Sequence, residues 1–145
     1  MKFVEAGLKL YLDRLKHYHK ISWEELSDVK KIDRKNVELL KQKEGELILS
    51  KLDNTETLIL LDEGGKEFTS VKFANWINKK LVHSGGNLVF VIGGAYGFSE
   101  EVYSRAIEKI SLSQMTFSHQ IIRIIFAEQL YRAFTILRGE PYHHA

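Results

Sequence analysis

Apolar residues recur at helical spacing in five segments of the chain, with short apolar runs between them. Spacing of this kind predicts amphipathic helices that bury one face. The predicted helices cover residues 3–17, from the Asp33 cap to the Asp53-Asn54 turn, from Thr69 or Ser70 to Ser84, 99–109, and from Ser118 or His119 to about Leu137. Gly139 and Pro141 stop the last helix, since neither residue continues a helix readily.

The short apolar runs predict strands. Thr57–Leu61 is followed by Asp62-Glu63-Gly64-Gly65, which we interpret as a turn, and the unbroken run Leu88–Ile92 is typical of a strand buried on both faces. Residues 110–112 predict a minimal strand and 113–118 a polar connection. Residues 20–26 alternate and predict another strand, although Ser22 and Glu25 also fit a helical capping box. Strands that alternate with helices predict one α/β domain over residues 1–145, with a mostly parallel, doubly wound sheet flanked by helices.

A glycine turn follows the Leu88 run, where Gly93, Gly94 and Gly97 precede Ser99, a predicted helix cap. Two interpretations stay open: a tight turn with glycines at positive φ, or a ligand site where the main chain can be approached closely. The spacing is neither a dinucleotide fingerprint nor a P-loop. We expect this turn and residues 62–65 to lie on the same rim of the sheet, where α/β proteins bind ligands.

Composition excludes several classes of function. The 145 residues are 44% hydrophobic and 28% charged, with a net charge of +2 and no cysteine. This is the composition of an ordinary globular protein without disulfides or thiol chemistry. The six histidines show no metal-binding spacing, and we expect no metal. Apolar runs are too short to span a bilayer and no signal-peptide core precedes them, so a cytoplasmic protein is the default expectation.

The last predicted helix is apolar around more of its circumference than a surface helix needs. It is either deeply buried in its own chain or also packs against a second copy. The surplus of isoleucine favours a symmetric homodimer.

Three segments together resemble the ribosomal RNA large subunit methyltransferase H family of SPOUT-class enzymes: LILLDEGGKEF, FVIGGAYGFSEEVYSRA, and the carboxyl-terminal ISLSQMTFSHQIIRIIFAEQLYRAFTILRGEPYHHA. The resemblance implies a carboxyl-terminal trefoil knot, a bent S-adenosylmethionine bound in it, and a homodimer whose sites are completed by the partner. It also implies a substrate, a pseudouridine of large-subunit ribosomal RNA in the ribosome, methylated on the ring nitrogen between the two carbonyls.

Carried over by position, the resemblance places cofactor contacts at Leu61, Gly94, Ser113, Gln114, Met115, Thr116, Phe117 and Ser118. Arg132 is the candidate for orienting the substrate and stabilising its carbonyl oxygens. Tyr142 and His143 are candidates for substrate contact, with His143 a possible proton acceptor. The alternatives are a structural ion pair of Arg132 with Glu128, four residues earlier, and a disordered tail.

The chain departs from the family pattern at its start. Members usually open with a strand of the type K-I-x-L-L-x-V-G-K, whereas this sequence starts at about the first helix. We expect the lost strand to leave unpaired backbone groups at its neighbours and not to affect the cofactor residues. A non-catalytic ribosome- or ribosomal-RNA-binding module of the same fold is the alternative function, and a phosphate- or nucleotide-binding enzyme is a third.

Overall fold

A computed structural model describes residues 2–26, 36–85, 87–93 and 96–144. Within them the chain forms helices and strands in the order α1 (Lys2–Leu15), α2 (Val37–Ser50), β1 (Thr57–Glu67), α3 (Ser70–Ser84), β2 (Leu88–Ile92), α4 (Glu100–Arg105), β3 (Glu108–Ser111) and α5 (Ile121–Leu137). The strands form a parallel sheet in the order β2-β1-β3. The α/β fold with a parallel sheet is therefore confirmed.

The central strand β1 separates two apolar layers. Ile59 and Leu61 face a core built with α1, α3 and α5. Leu58 and Leu60 face a smaller core that includes Val102 of α4 and side chains of α2. Because successive side chains of a strand point to opposite faces, four consecutive apolar residues supply both layers. Helices on both faces are what a doubly wound sheet requires.

Local chemistry sets most helix ends where the sequence predicts them. The Thr69 hydroxyl accepts a hydrogen bond from the Lys72 N–H at 3.2 Å and begins α3. Gly85, with φ of 64°, ends it in the left-handed conformation that suits glycine. Ser99 caps α4 as predicted. The cap of α2 is Asn36, three residues later than expected, and the predicted cap Asp33 lies outside the described residues.

The turn predicted after Leu61 is wrong, because β1 continues to Glu67 through an irregularity. Leu61 and Lys66 both pair with Ile110 of β3, so residues 62–65 bulge out of the ladder between them. A Cβ on Gly65 would lie 2.6 Å from the Ile110 backbone. Glycine therefore permits a close strand approach here, and does not end the strand.

The predictions for two further segments are also wrong. Residues 20–26 form no strand; Ile21 and Trp23 pack on the core from irregular backbone, which explains their apolar spacing. β2 is half-buried along its whole length and, among the described strands, has a neighbour only in β1. A groove of about 600 Å³ runs beside it, lined by residues of β2 and of 19–26. The apolar run Leu88–Ile92 therefore forms an edge strand of the described sheet that is partly covered, and not a strand buried on both faces.

Three boundaries near the carboxyl end are corrected as well. α4 ends at Arg105 and not at 109, because Ala106 adopts extended backbone. β3 correspondingly begins at Glu108. α5 begins at Ile121, so His119 lies in a turn before it. α5 packs between α1 and α3 and buries Phe126, Leu130 and Ala133 there, whereas Ile121 is 38% exposed.

Candidate functional site

The carboxyl-terminal ends of the strands form the rim that the sequence predicts as a site. Leu61 pairs with Ile92 of β2 on one side and with Ile110 of β3 on the other. The segments that follow β2 and β3 therefore leave the sheet on either side of Leu61. This arrangement puts Leu61 level with the carboxyl ends of β2 and β3, and residues 113–118 follow β3 there, while β1 itself continues to Glu67. Gly94 lies outside the described residues.

Residues 113–118 are held at their two ends and open in the middle. The Ser111 hydroxyl donates to the Ser113 carbonyl at 2.8 Å, and the Ser113 hydroxyl accepts from the Met115 N–H at 3.0 Å. At the other end the Ser118 hydroxyl accepts from the Ile121 N–H at 3.2 Å. Within the described chain, the main-chain groups of Gln114, Thr116 and Phe117 make no hydrogen bond to protein.

The same segment exposes apolar surface. Met115 is 76% exposed and Phe117 is 37% exposed. Free main-chain donors and acceptors beside uncovered apolar side chains are what an adenine ring needs for its edge and its faces. The residues present therefore fit an adenosyl group.

The glycine turn after β2 is braced by aromatic packing. A Cβ on Gly93 would lie 2.6 Å from the Phe98 ring, so the ring packs directly on the backbone there. Gly97 has φ of 81°, which confirms a positive-φ position in this turn. The Tyr103 hydroxyl donates to the Asp62 carboxylate and joins α4 to the bulge of β1. Burial, with this hydrogen bond, raises the pKa of Tyr103.

The candidate residues Arg132, Tyr142 and His143 lie together: Glu128 joins Arg132 to Tyr142, and Arg132 contacts His143 directly. The Arg132 Nε donates to Glu128 Oε1 at 3.0 Å, and the Tyr142 hydroxyl donates to the same oxygen at 3.2 Å. A terminal guanidinium nitrogen of Arg132 lies 3.1 Å from Nδ1 of His143. We call these four residues the tail cluster. The ion pair with Glu128 is thus present, and the tail through 144 belongs to the described chain.

Aromatic rings enclose the tail cluster. The Arg132 guanidinium lies 4.8 Å from the centre of the Tyr142 ring, which packs edge-on against Tyr131 at 4.7 Å. Burial, and next a hydrogen-bonding contact with Tyr11 of α1, raise the pKa of Tyr142. The hydrogen bonds that the guanidinium donates to Glu128 raise the pKa of Arg132. The phenol therefore stays neutral and the guanidinium charged at physiological pH.

The structure does not bring all the predicted residues into one place. No hydrogen bond or ring contact among the described residues joins the tail cluster to residues 113–118. Sequence reasoning treated Glu128 only as a structural partner of Arg132 and missed Tyr11. The spacing of four residues between Glu128 and Arg132 was a usable signal, whereas nothing in sequence relates Tyr11 to a tyrosine at the other end of the chain.

No group of three or more histidine or carboxylate side chains in the described residues is placed to hold a metal ion. None of their helices has the length and apolar character needed to cross a membrane.

The family model and the similar proteins identify the same kind of protein. A family model described as "Predicted SPOUT methyltransferase" matches residues 1–143. A protein of Christiangramia forsetii named ribosomal RNA large subunit methyltransferase H is 56% identical over 99% of this chain and 91% of its own length. Proteins of the same name from Parabacteroides distasonis and Cytophaga hutchinsonii are 55% and 48% identical, each over 98% of this chain and over 90% and 91% of their own lengths.

Proposed function

This chain belongs to the SPOUT methyltransferase family, and we propose that it methylates large-subunit ribosomal RNA with S-adenosylmethionine as the methyl donor. The proposed target is the ring nitrogen between the two carbonyls of a pseudouridine in the ribosome. The observation that carries the proposal is the open segment 113–118 at the rim beside Leu61, with free main-chain groups and exposed apolar side chains. The family relationship supplies the reaction type.

Leu61, Gly94 and residues 113–118 are the proposed cofactor contacts. Met115 and Phe117 would cover the adenine faces, and the free main-chain groups of Gln114 and Thr116 would meet its edge. The bound cofactor supplies a methyl group on a positively charged sulfur, which a nucleophile displaces in line. Positioning therefore contributes most of the catalysis that the protein must provide.

The tail cluster is the proposed substrate-orienting part. A pyrimidine ring nitrogen must give up its proton before or during attack, and negative charge then develops on the adjacent carbonyl oxygens. The Arg132 guanidinium, fixed by Glu128, is a charged donor suited to those oxygens. The neutral Tyr142 hydroxyl and the His143 ring lie beside it.

A homodimer in the cytoplasm, with a trefoil knot at the carboxyl end of each protomer, completes the proposal. The knot and the shared sites come from the family resemblance. Exposed Phe3 and Leu10 on α1 support a protein contact, since they are 63% and 47% exposed and lie two helical turns apart. A partner that completes the site also accounts for the lack of contact between the tail cluster and residues 113–118 in one chain.

Mass spectrometry of ribosomal RNA tests the proposal directly. Ribosomes that lack the modification are incubated with the protein and S-adenosylmethionine, and the RNA is digested and examined for a methylated pseudouridine. The expected result is one new methylated nucleoside, together with saturable cofactor binding by calorimetry. Cofactor binding with ribosome association but no methyl transfer would support a non-catalytic module instead. Binding of neither the cofactor nor its demethylated product would overturn the proposal.

A further inference from the structure

One carboxylate oxygen organises the tail cluster. Glu128 Oε1 accepts from the Nε of Arg132 and from the hydroxyl of Tyr142. The side chains of Arg132 and Glu128 are only 24% and 18% exposed, so water competes weakly for this pair. Nη2 of Arg132 also donates to Glu128 Oε1, so the guanidinium is held with its other terminal nitrogen, Nη1, directed at His143.

That contact fixes the chemistry of the histidine ring. A guanidinium has donors only and keeps its proton, so the group that faces it at 3.1 Å must accept. Nδ1 of His143 consequently offers its lone pair to Arg132. A neutral imidazole that accepts at Nδ1 carries its proton on Nε2. The opposite edge of the ring is then a hydrogen-bond donor.

We propose that Glu128 is a positioning residue which, through Arg132, holds His143 as the Nε2–H tautomer and so makes it a donor toward a substrate carbonyl oxygen. This inference rests on the proposed function and changes the expected role of His143 from proton acceptor to donor. The lone pair that a base needs is already occupied by Arg132. Two donors, Arg132 and His143, would then face the oxygens on which charge develops.

Nitrogen-15 NMR of the histidine rings tests the tautomer without any activity measurement. Spectra are recorded at about pH 8.5, roughly two units above the ordinary pKa of histidine. The expected result is an unprotonated Nδ1 and a protonated Nε2 for His143. In Glu128→Ala and Arg132→Ala the ring should move toward the tautomer mixture of His17, which is exposed after α1. A protonated Nδ1 in the wild-type protein would overturn the inference.

Substitution of His143 tests the donor role. A glutamine amide places an N–H near the position of Nε2, whereas an asparagine amide reaches only the position of Nδ1. His143→Gln should therefore retain roughly tenfold more methyl transfer than His143→Asn, as one hydrogen bond to developing charge would give. Equal activities of the two variants would contradict the donor role. His17→Gln, a change outside both candidate regions, is the matched control and should transfer like the wild type.

Two substitutions of Glu128 test its role as a positioning residue. Glu128→Ala should lower kcat at least about tenfold with cofactor affinity within twofold, and Glu128→Gln should recover part of the loss because its oxygen still accepts both hydrogen bonds. A loss of kcat without any change in the His143 tautomer would show a merely structural role. A correct tautomer in a wild-type protein that transfers no methyl group would defeat the proposed function, while active protein with the other tautomer would defeat this inference alone.

Discussion

The rim of the sheet and the tail cluster are built in opposite ways. At the rim, the main-chain groups of Gln114, Thr116 and Phe117 make no hydrogen bond within the described chain, and the side chains of Met115 and Phe117 are exposed. In the tail cluster, the polar groups of Arg132, Glu128 and Tyr142 are paired with one another and covered by aromatic rings. A ligand that covers the exposed apolar side chains and pairs the free main-chain groups of the rim is bound favourably. The groups of the tail cluster are already paired, so their role is to hold hydrogen-bond donors in position for the transition state.

The largest expected effect comes from removing the main donor of the tail cluster. Arg132→Ala should lower methyl transfer about 100-fold, or about 2.7 kcal/mol, because a charged donor to the developing oxyanion is lost. Cofactor affinity should change less than twofold. Steady-state kinetics with ribosomes and calorimetry with cofactor measure the two quantities. Equal losses in both would mean that Arg132 is a structural residue and that the two regions do not differ in role.

The next largest effect is on stability, and it tests the close approach of β1 and β3 at Gly65. Gly65→Ala should lower the free energy of unfolding by about 2 kcal/mol, since a Cβ there meets the Ile110 backbone at 2.6 Å. Gly64→Ala is the matched control: its nearest neighbour is the Asp62 side chain at 3.3 Å. Thermal or urea unfolding of both variants gives the comparison. Similar losses at the two positions would contradict the close approach of β1 and β3.

A smaller effect is expected at the exposed part of the rim. Met115→Ala should weaken cofactor binding by about 1 kcal/mol, roughly fivefold, because apolar cover for the adenine is lost. The melting temperature should not change, since Met115 is 76% exposed without a ligand. Calorimetry and thermal unfolding test the two parts. A lower melting temperature with unchanged affinity would assign Met115 to the fold and not to the site.

The smallest effect concerns Tyr18, which follows α1 and packs edge-on against Tyr131 of α5. Its hydroxyl donates to Glu140 at 2.6 Å, and this bond raises the pKa of Tyr18 from 10.0 to about 12. The folded state therefore holds this proton more tightly than the unfolded chain does. Its contribution to stability is present below pH 10 and is lost as the pH rises through about 12.

Tyr18→Phe should remove that contribution, about 0.5 kcal/mol for a partly exposed hydrogen bond. Urea unfolding at neutral pH measures the difference, and unfolding between pH 9 and 11 should show the wild-type advantage shrinking. An advantage that grows with pH would contradict the assignment of the bond.

Sequence patterns predicted all five helices and all three strands of the described chain, but they added a strand at residues 20–26 and misjudged where β1 ends and how far β2 is buried. The glycine-rich segment after Leu61 has the composition of a turn, and only the proximity of Ile110 shows that β1 continues past it. Leu88–Ile92 has the composition of a fully buried strand, and only the strand order shows that it lies at an edge of the sheet that the described residues form. Composition reflects how apolar a segment is, whereas pairing depends on residues far away in the chain.

The sequence by itself determined the alternation of helices and strands, the caps at Thr69 and Ser99, and the family through its carboxyl-terminal segments. The helices, strands and caps depend on residues that are close in sequence, and the family is identified from the order of residues along the chain. Tertiary structure alone decided that Glu128 joins Arg132 to Tyr142, and that Tyr11 of α1 helps to raise the pKa of Tyr142. The physical reason is that hydrogen bonds are specific at distances near 3 Å, and only packing of α1 and the tail on α5 brings these groups so close.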